Sequence, residues 1–493
     1  MDILLVTPPS RLQVYQNLSN DLAAIEPPVW SGLIAQFLLN AGCQVSILDA
    51  EAEGLTHDQT AQRIASIAPK LTVFVIYGQQ PSASTQCMPG GRKVANALKD
   101  LKFSGSTIVM GTHSAALPER TLREEPYTYV CSGEGPYTIL GLFEHLSGKK
   151  PITEVPGLWY HDGDAIKSTA PAPLISDLDT TLPRQAWELL DMSRYRAHNW
   201  HCFDDLDSRG SYASLQTSLG CPFQCSFCCI NAPFSVNKIR YWSPENIINQ
   251  IDILVQKYGV RNIKIPDEMF VLNPRQVTEI CDRIIEREYK LNIWAYARID
   301  TLQDEVMLTK LKRAGFNWLG LGIESGSNHV RDGVTKGRFG NIDIKKVVAR
   351  VREHGIYVGA NYIFGLPDDT LSSMRETLDL ALELNTEWAN FYCAMAYPGS
   401  KLYSIATEKG WELPDSPNGP GWIGYSQHAF ECLPLPSESL SAHEILDFRD
   451  AAFTEYFTSK PYLELIERQF GEKALAHVQA MTEHTLARKH RQE

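Results

Sequence analysis

Leu219-Gly220-Cys221-Pro222-Phe223-Gln224-Cys225-Ser226-Phe227-Cys228 spaces three thiols as C-x-x-x-C-x-x-C within one short loop. Iron-sulfur cubanes take four thiolates, one per iron, so a loop that offers three leaves one iron to hold something other than protein. An open iron points to chemistry and not to electron storage. Two other readings fit the triplet alone. A zinc site wants four ligands in paired Cys or His spacings; Cys229 adds a fourth sulfur, but adjacent side chains seldom converge on one ion. Cysteine also packs as a small hydrophobe in a buried, unreactive cluster.

Working outward, a strand-like run precedes the loop at 212–218 (YASLQTS). Five more follow it, at 262–270 (NIKIPDEMF), 293–300 (IWAYARID), 318–327 (WLGLGIESGS), 359–370 (GANYIFGLPDDT) and 392–403 (YCAMAYPGSKLY). Helical patterns lie between them. In 244–258, Ile247, Ile248, Ile251, Leu254 and Val255 share one face, and 274–288 is a second such stretch. Arg298 sits in a half-apolar run, where an inward guanidinium suits a carboxylate. Six strand-helix units from about 206 to 405 predict an open β/α barrel, with ligands at the carboxyl-terminal rim.

With the cysteine loop, these motifs in this order resemble the radical S-adenosylmethionine (SAM) superfamily. The resemblance implies a 4Fe-4S cluster on Cys221, Cys225 and Cys228. Its free iron would chelate the amino and carboxylate groups of SAM, and an electron from it would release a 5'-deoxyadenosyl radical, the protein supplying position and shielding. By the same resemblance Asp267 and Glu268 meet the SAM amino group, Arg298 the carboxylate, Glu324 and Asn361 the ribose, and the backbone from Ile363 to Gly365 the adenine. An acidic cap on the next turn is the plainer role for Asp267 and Glu268. The end of the sixth run resembles the family's PGT-x-L, with Ser400 in place of Thr.

Residues 1 to about 145 alternate short apolar runs (3–6, 45–48, 71–77, 107–110, 129–130) with helical patterns, as a doubly wound, Rossmann-like parallel sheet does. Trp30, Leu33, Ile34, Phe37 and Leu38 form one helix face. Ligands of such sheets sit beyond the carboxyl ends of the strands. Those ends are Pro8-Pro9, 49–51, 78–80 with Ser82, Gly111-Thr112-His113 and Gly133-Glu134-Gly135. Gly and small polar residues let backbone approach a large ligand, and tight turns require the same composition. Placed before a radical SAM segment, GTHSAALPE (111–119) and CSGEGP (131–136) resemble the cobalamin-binding domain of the cobalamin-dependent radical SAM class. The resemblance implies cobalamin on Pro8, Pro9, Gly78, Ser82, Gly111, Thr112, His113, Gly133, Glu134 and Gly135. The D-x-H-x-x-G signature that supplies histidine to cobalt elsewhere is absent, so cobalt is expected without a lower His. His113 is a candidate ligand, a turn histidine being the commoner outcome.

The remaining segments are a Pro-containing linker with a hairpin at Asp162-Gly163 and a mostly helical carboxyl-terminal cap expected over the barrel mouth. The expected units are 1–147, 148–205, 206–405 and 406–493. Residues 194–203 (RYRAHNWHCF) either close one side of the cavity or staple two units together. Trp422 and Tyr425 either line the cavity or pack into the core.

The chain has 493 residues, 44% hydrophobic and 21% charged, enough for several cores. Its net charge of -12 argues against nucleic acid, which favours a basic stripe. Eleven cysteines, an odd and scattered number, fit a reducing compartment. No apolar run reaches the ~18 residues of a membrane span, and residues 1–9 lack a signal peptide's cationic flank. A cytoplasmic enzyme with a small-molecule substrate and an electron donor such as flavodoxin or ferredoxin is expected. The resemblance implies methyl transfer to an unactivated carbon: one SAM methylates the corrinoid, a second yields the radical that takes a substrate hydrogen, and the methyl group is then delivered. Two alternatives stay open, ring formation, contraction or oxidation without methyl transfer, and a non-catalytic corrinoid-binding protein.

Overall fold

Parallel strands cannot be joined by tight turns, because each return needs a crossover of a dozen residues or more, and this chain supplies two series of them. The computed structural model describes residues 1–19, 22–78, 82–334 and 342–489. Strands β1 (Ile3–Thr7), β2 (Val45–Asp49), β3 (Leu71–Val75), β4 (Ser106–Met110) and β5 (Tyr129–Cys131) pair in parallel in the order β2-β1-β3-β4-β5. All five fall on the apolar runs read from the sequence. Strand β3 is buried throughout, which is why it reads as an unbroken apolar run and not as an alternation. The strand order reverses between β1 and β3, and the crevice beyond the carboxyl ends at such a reversal is where these sheets take ligands.

The hairpin of the linker is β6 (Leu158–Asp162) and β7 (Ala165–Ser168), turned at Gly163 with φ +61°. Strand β6 pairs antiparallel with β5, so the sheet has seven strands. The hairpin therefore does more than connect: it satisfies the backbone edge that β5 would otherwise expose.

The second half begins with β8 (Tyr212–Ser214) and an antiparallel pair, β9 (Ser218–Leu219) and β10 (Arg240–Tyr241), which brackets the cysteine loop. Strands β11 (Asn262–Ile265), β12 (Asn292–Ala297), β13 (Phe316–Glu324), β14 (Tyr357–Phe364) and β15 (Trp388–Cys393) follow, and with β8 they form one parallel sheet in the order β15-β14-β13-β12-β11-β8. Its end strands do not pair among the described residues, which leaves the barrel open. Two expected runs need correction. Residues 212–218 are not one strand, since the chain leaves the barrel after Ser214 and re-pairs as β9. The sixth strand ends at Cys393, and Pro398-Gly399 forms a turn (Gly399 φ +88°) in which Ser400 caps helix Lys401–Lys409 by accepting from the Tyr403 N–H. Proline removes the donor a strand interior needs.

Aromatic rings fill the floor of the barrel. Trp200 meets Trp294, Trp318 and Trp388 at centroid distances of 5.1, 5.2 and 6.2 Å, and Phe470 stacks on Trp318 from below at 6.0 Å. The aromatic segment before the barrel is thus a plug. Helices Ala442–Phe457, Lys460–Phe470 and Glu472–Thr482 form the expected helical cap, and Arg449, Phe453, Thr454, Met481 and Thr482 of the first and third line the same cavity as Cys221, Cys225 and Cys228. The helices also pack along β15, with Arg449 Nε donating to the Phe391 carbonyl and Tyr462 OH to that of Glu387, because the open barrel leaves that flank apolar. Trp422 and Tyr425 are core residues, 4% and 0% exposed. Trp422 lies against Arg120 and His113 and donates to Glu125, joining the last part of the chain to the first sheet.

Two buried ion pairs join the sheets. Lys264 Nζ, on β11, donates to both oxygens of Glu26 at 2.8 and 2.9 Å, and Arg240 pairs with Glu134 at 2.8 Å. Burial raises the Glu26 pKa against the pull of Lys264, so this pair serves position more than net stability. Removing one member strands the other charge, and Glu26→Ala is expected to cost about 3 kcal/mol, read as a lower thermal midpoint.

Candidate active site

The cysteine loop is held from every side. Gly220 has φ +86°, and a Cβ there would lie 2.3 Å from the Lys238 carbonyl, so only glycine fits. Asn231 clasps Cys221, accepting from its N–H at 3.1 Å and donating to its carbonyl at 2.8 Å. The Ser226 N–H donates to the Val334 carbonyl and the Ser226 carbonyl accepts from the Leu402 N–H. Asp267 takes three bonds, from the Thr217 N–H and hydroxyl and from the Ser218 hydroxyl, at 2.8, 2.6 and 2.6 Å. Asp267 therefore orders the approach to the loop. Burial pushes its carboxyl up to about 6.

Cys221, Cys225 and Cys228 all line a cavity of about 760 Å³, together with Glu268, Arg298, Glu324, Asn361 and Ile363 from the ends of β11 to β14. Arg298 is held by Asp300 through two bonds of 2.9 Å and lies over the Phe223 ring at 4.1 Å, so the rim and the cysteine loop stack on each other. Glu324 has φ +66°, in the left-handed region, where the register with β14 shifts after Gly322. A non-glycine residue there costs roughly 1 kcal/mol or more, and strain of this kind gathers at functional sites. Asn361 donates to the Leu321 carbonyl and accepts from Asn390, which in turn accepts from Trp388 Nε1. Asn390, Phe223 and Asn231 carried no signal in the sequence, because the first answers a side chain on another strand and the other two act inside a loop. Gly365 does not line this cavity. It turns the chain at φ +80° beneath Ile445, its N–H given to Asp369.

Among the described residues no three His, Cys, Asp or Glu converge on a point that would suit a single ion. A cubane makes no such demand, since each thiolate takes its own iron, and three thiols of one loop facing one cavity suit it. Burial holds the Cys228 thiol well above its ordinary value, and coordination removes that proton outright.

A second cavity, of about 160 Å³, lies at the β1/β3 reversal and shares Tyr15, Gln86, Ile230 and Glu268 with the first. Pro8, Gly78 and Thr112 line it, and Ser82 lines the larger one; residues 79 and 80 of the expected loop lie outside the described residues. The buried Thr7 Oγ1, Arg11 Nη1, Ser31 Oγ, Tyr77 OH and Thr112 Oγ1 on one wall, and Ser214 Oγ and Gln216 Oε1 opposite, have no hydrogen-bond partner among the described residues. Buried polar atoms usually find partners in folded proteins, and although others lack one elsewhere in the described residues, their gathering on this crevice suits the amide-edged part of a ligand such as cobalamin. The other expected residues serve the fold. Gly111 clears the Ile76 carbonyl, Gly135 packs on Met110, Gly133 faces Ala172, and the Pro9 carbonyl meets His57 Nε2. Glu134 holds Arg240 and the Ile175 N–H. His113 is buried between Thr85 and the Trp422 ring, its pKa lowered to about 3 by burial, and faces neither cavity. If Asp267 orders the loop, Asp267→Ala lowers iron per chain after reconstitution about tenfold, a loss matching one buried charge-assisted bond; normal iron content would refute that role.

The Radical SAM superfamily model matches residues 215–381 and the B12 binding domain model residues 18–143. An uncharacterized methyltransferase of Pyrococcus horikoshii is 28% identical over 82% of this chain and 83% of its own. The anaerobic magnesium-protoporphyrin IX monomethyl ester cyclase of Rubrivivax gelatinosus is 24% identical over 91% and 77%. Among solved structures, the radical SAM methyltransferase TsrM of Kitasatospora setae, with cobalamin and a 4Fe-4S cluster bound, superimposes with a TM-score of 0.67 at 16% identity over 93% of this chain and 89% of that one. The cobalamin-dependent SAM radical enzyme OxsB, with aqua-cobalamin and SAM bound, gives 0.71 at 15% identity over 98% and 71%. No helix among the described residues is long and apolar enough to cross a membrane. A B12-binding sheet and a radical SAM half-barrel, in that order and opening on adjoining cavities, make this chain a member of the cobalamin-dependent radical SAM enzymes, with a 4Fe-4S cluster, SAM and cobalamin as its cofactors.

Proposed function

We propose that the chain is a C-methyltransferase acting on an unactivated carbon of a small molecule, fed by a one-electron donor of the flavodoxin or ferredoxin kind in the cytoplasm. One observation carries the reading. The cavity walled by the three thiols is also walled by Ser82 and Gln86 at the start of helix Ala83–Asp100 in the amino-terminal half, so groups held by either half face one space. When bound, the cluster with SAM supplies a hydrogen-abstracting radical and cobalamin supplies a methyl group.

The chain's own residues do the rest. Cys221, Cys225 and Cys228 hold the cluster. Glu268, Arg298, Glu324, Asn361 and the backbone at Ile363 flank SAM, with Asp300 and Phe223 fixing the plane of the Arg298 guanidinium. Trp200, Trp294, Tyr296 and Trp388 wall the interior, and such a water-poor wall protects a reactive intermediate from side reactions. Asp267 and Gly365 act through the cysteine loop and the β14 turn.

A second reading, radical chemistry without methyl transfer, is favoured by the cyclases among the relatives. SAM labelled in its methyl group separates the two. Methyl transfer places label in the product and forms one S-adenosylhomocysteine and one 5'-deoxyadenosine per turnover; unlabelled product with 5'-deoxyadenosine alone would overturn the proposal. Cys225→Ala is expected to abolish both cluster absorbance and 5'-deoxyadenosine formation, whereas Arg298→Lys, which loses the planar fork, should raise the SAM concentration for half-maximal rate about tenfold and leave cluster content intact.

A further inference from the structure

The large cavity is walled by strands, helices and the aromatic plug, and by irregular chain in the cysteine loop, near residues 22 and 23, at 427–428 and at 484–486. Helix Glu472–Thr482 ends at Glu483, and His484, Thr485 and Leu486 beyond it line the cavity. His484 and Thr485 are also exposed to solvent, so here the wall is one residue thick. No backbone ladder holds this stretch. It hangs on Arg488, whose side chain is 0% exposed and donates to the carbonyls of Gln427 and Ala429 at 2.9 and 3.1 Å and to the two oxygens of Asp450 at 3.0 and 3.1 Å. Two weaker stitches flank it, Gln16 Nε2 to the Ala487 carbonyl at 3.2 Å and the Lys489 N–H to the Phe430 carbonyl at 2.8 Å.

We propose that residues 483–489 are a strap that closes the reaction cavity, that Arg488 is its latch, and that His484, Thr485 and Leu486 are the groups an entering substrate meets first. Where part of a cavity wall can swing aside it controls how wide the entrance is, and lids of this kind gate entry and product release. Opening the strap breaks the Arg488, Gln16 and Lys489 hydrogen bonds, whereas opening the strand and helix walls unpacks a whole element. The latch is chemically selective. Guanidinium spans two carbonyls and a carboxylate at once, which the point charge of lysine does not reproduce. The purpose given to the strap rests on the radical SAM reading; its geometry does not.

The test uses the full chain. Hydrogen-deuterium exchange of the peptide over 483–489 is measured in the parent, Arg488→Ala, Arg488→Lys and Gln16→Ala proteins. In parallel, anaerobic bleaching of the reconstituted cluster by EDTA with ferricyanide reports access to the cavity. Arg488→Ala is expected to raise both rates about tenfold, as loss of one charge-assisted bond from the closed state implies. Lysine should recover part of this, and Gln16→Ala should move both rates the same way but less, with circular dichroism unchanged. Unaltered exchange in Arg488→Ala would refute the latch, and a freed strap with unaltered bleaching would refute the gate. Should Arg488→Ala fail to fold, Gln16→Ala decides both points. A parent that assembles no cluster would count against the radical SAM reading alone, since the exchange result stands without it.

Discussion

Parallel strands collect their carboxyl ends along one edge of a sheet, and in this protein two parallel sheets turn that edge toward the same space. Thr7, Pro8, Gly78 and Thr112 reach it from the first sheet, and Ser218, Pro266, Asp267 and Glu268 from the second. The rest follows from keeping these edges opposed. The buried pairs Glu26 with Lys264 and Arg240 with Glu134 tie the sheets directly, and the Trp422 contact ties them through the end of the chain. Charge pairs in such a place add little net stability, but each has a single satisfying geometry. They fix register between the halves, where apolar contact alone would tolerate sliding.

The polar groups divide into two populations. Around the cysteine loop they are committed: Asp267 to Thr217 and Ser218, Asn231 to Cys221, Ser226 to neighbours on both sides. Such a loop is ordered before any cluster arrives, which is what positioning a reactive centre requires. Around the β1/β3 crevice, seven buried polar atoms lack partners among the described residues, a state a folded protein tolerates where a ligand completes the set. One half of the site is thus built by the chain and the other is finished by what it binds.

The fold was readable wherever a local rule governs. Apolar runs located the five parallel strands of the first sheet, and helix Pro244–Tyr258 starts at its Ser243 cap and ends at Gly259 as such signals require. Reading failed where the answer lies across the fold. Residues 212–218 look like one strand, yet the chain changes partners at Ser214. The 158–168 hairpin looked like linker because nothing local reveals the free edge of β5. That the three terminal helices also seat along β15 was not legible, because an amphipathic face does not say which apolar flank it will cover.

The candidate site divides along the same line. Spacing by itself determined that Cys221, Cys225 and Cys228 share one loop, and motif order determined that Glu268, Arg298, Glu324, Asn361 and Ile363 reach one rim, since residues at successive strand ends of a parallel barrel have nowhere else to go. Only the tertiary structure decided that Asp267 faces the loop, that Gly365 lies under Ile445, that His113 packs against Trp422 while Glu134 pairs with Arg240, and that residues far along the chain, at 484–486, wall the same cavity. The physical reason is direction. A sequence states which atoms a side chain carries and how far along the backbone it sits, but where the side chain points is settled by partners that arrive from other elements.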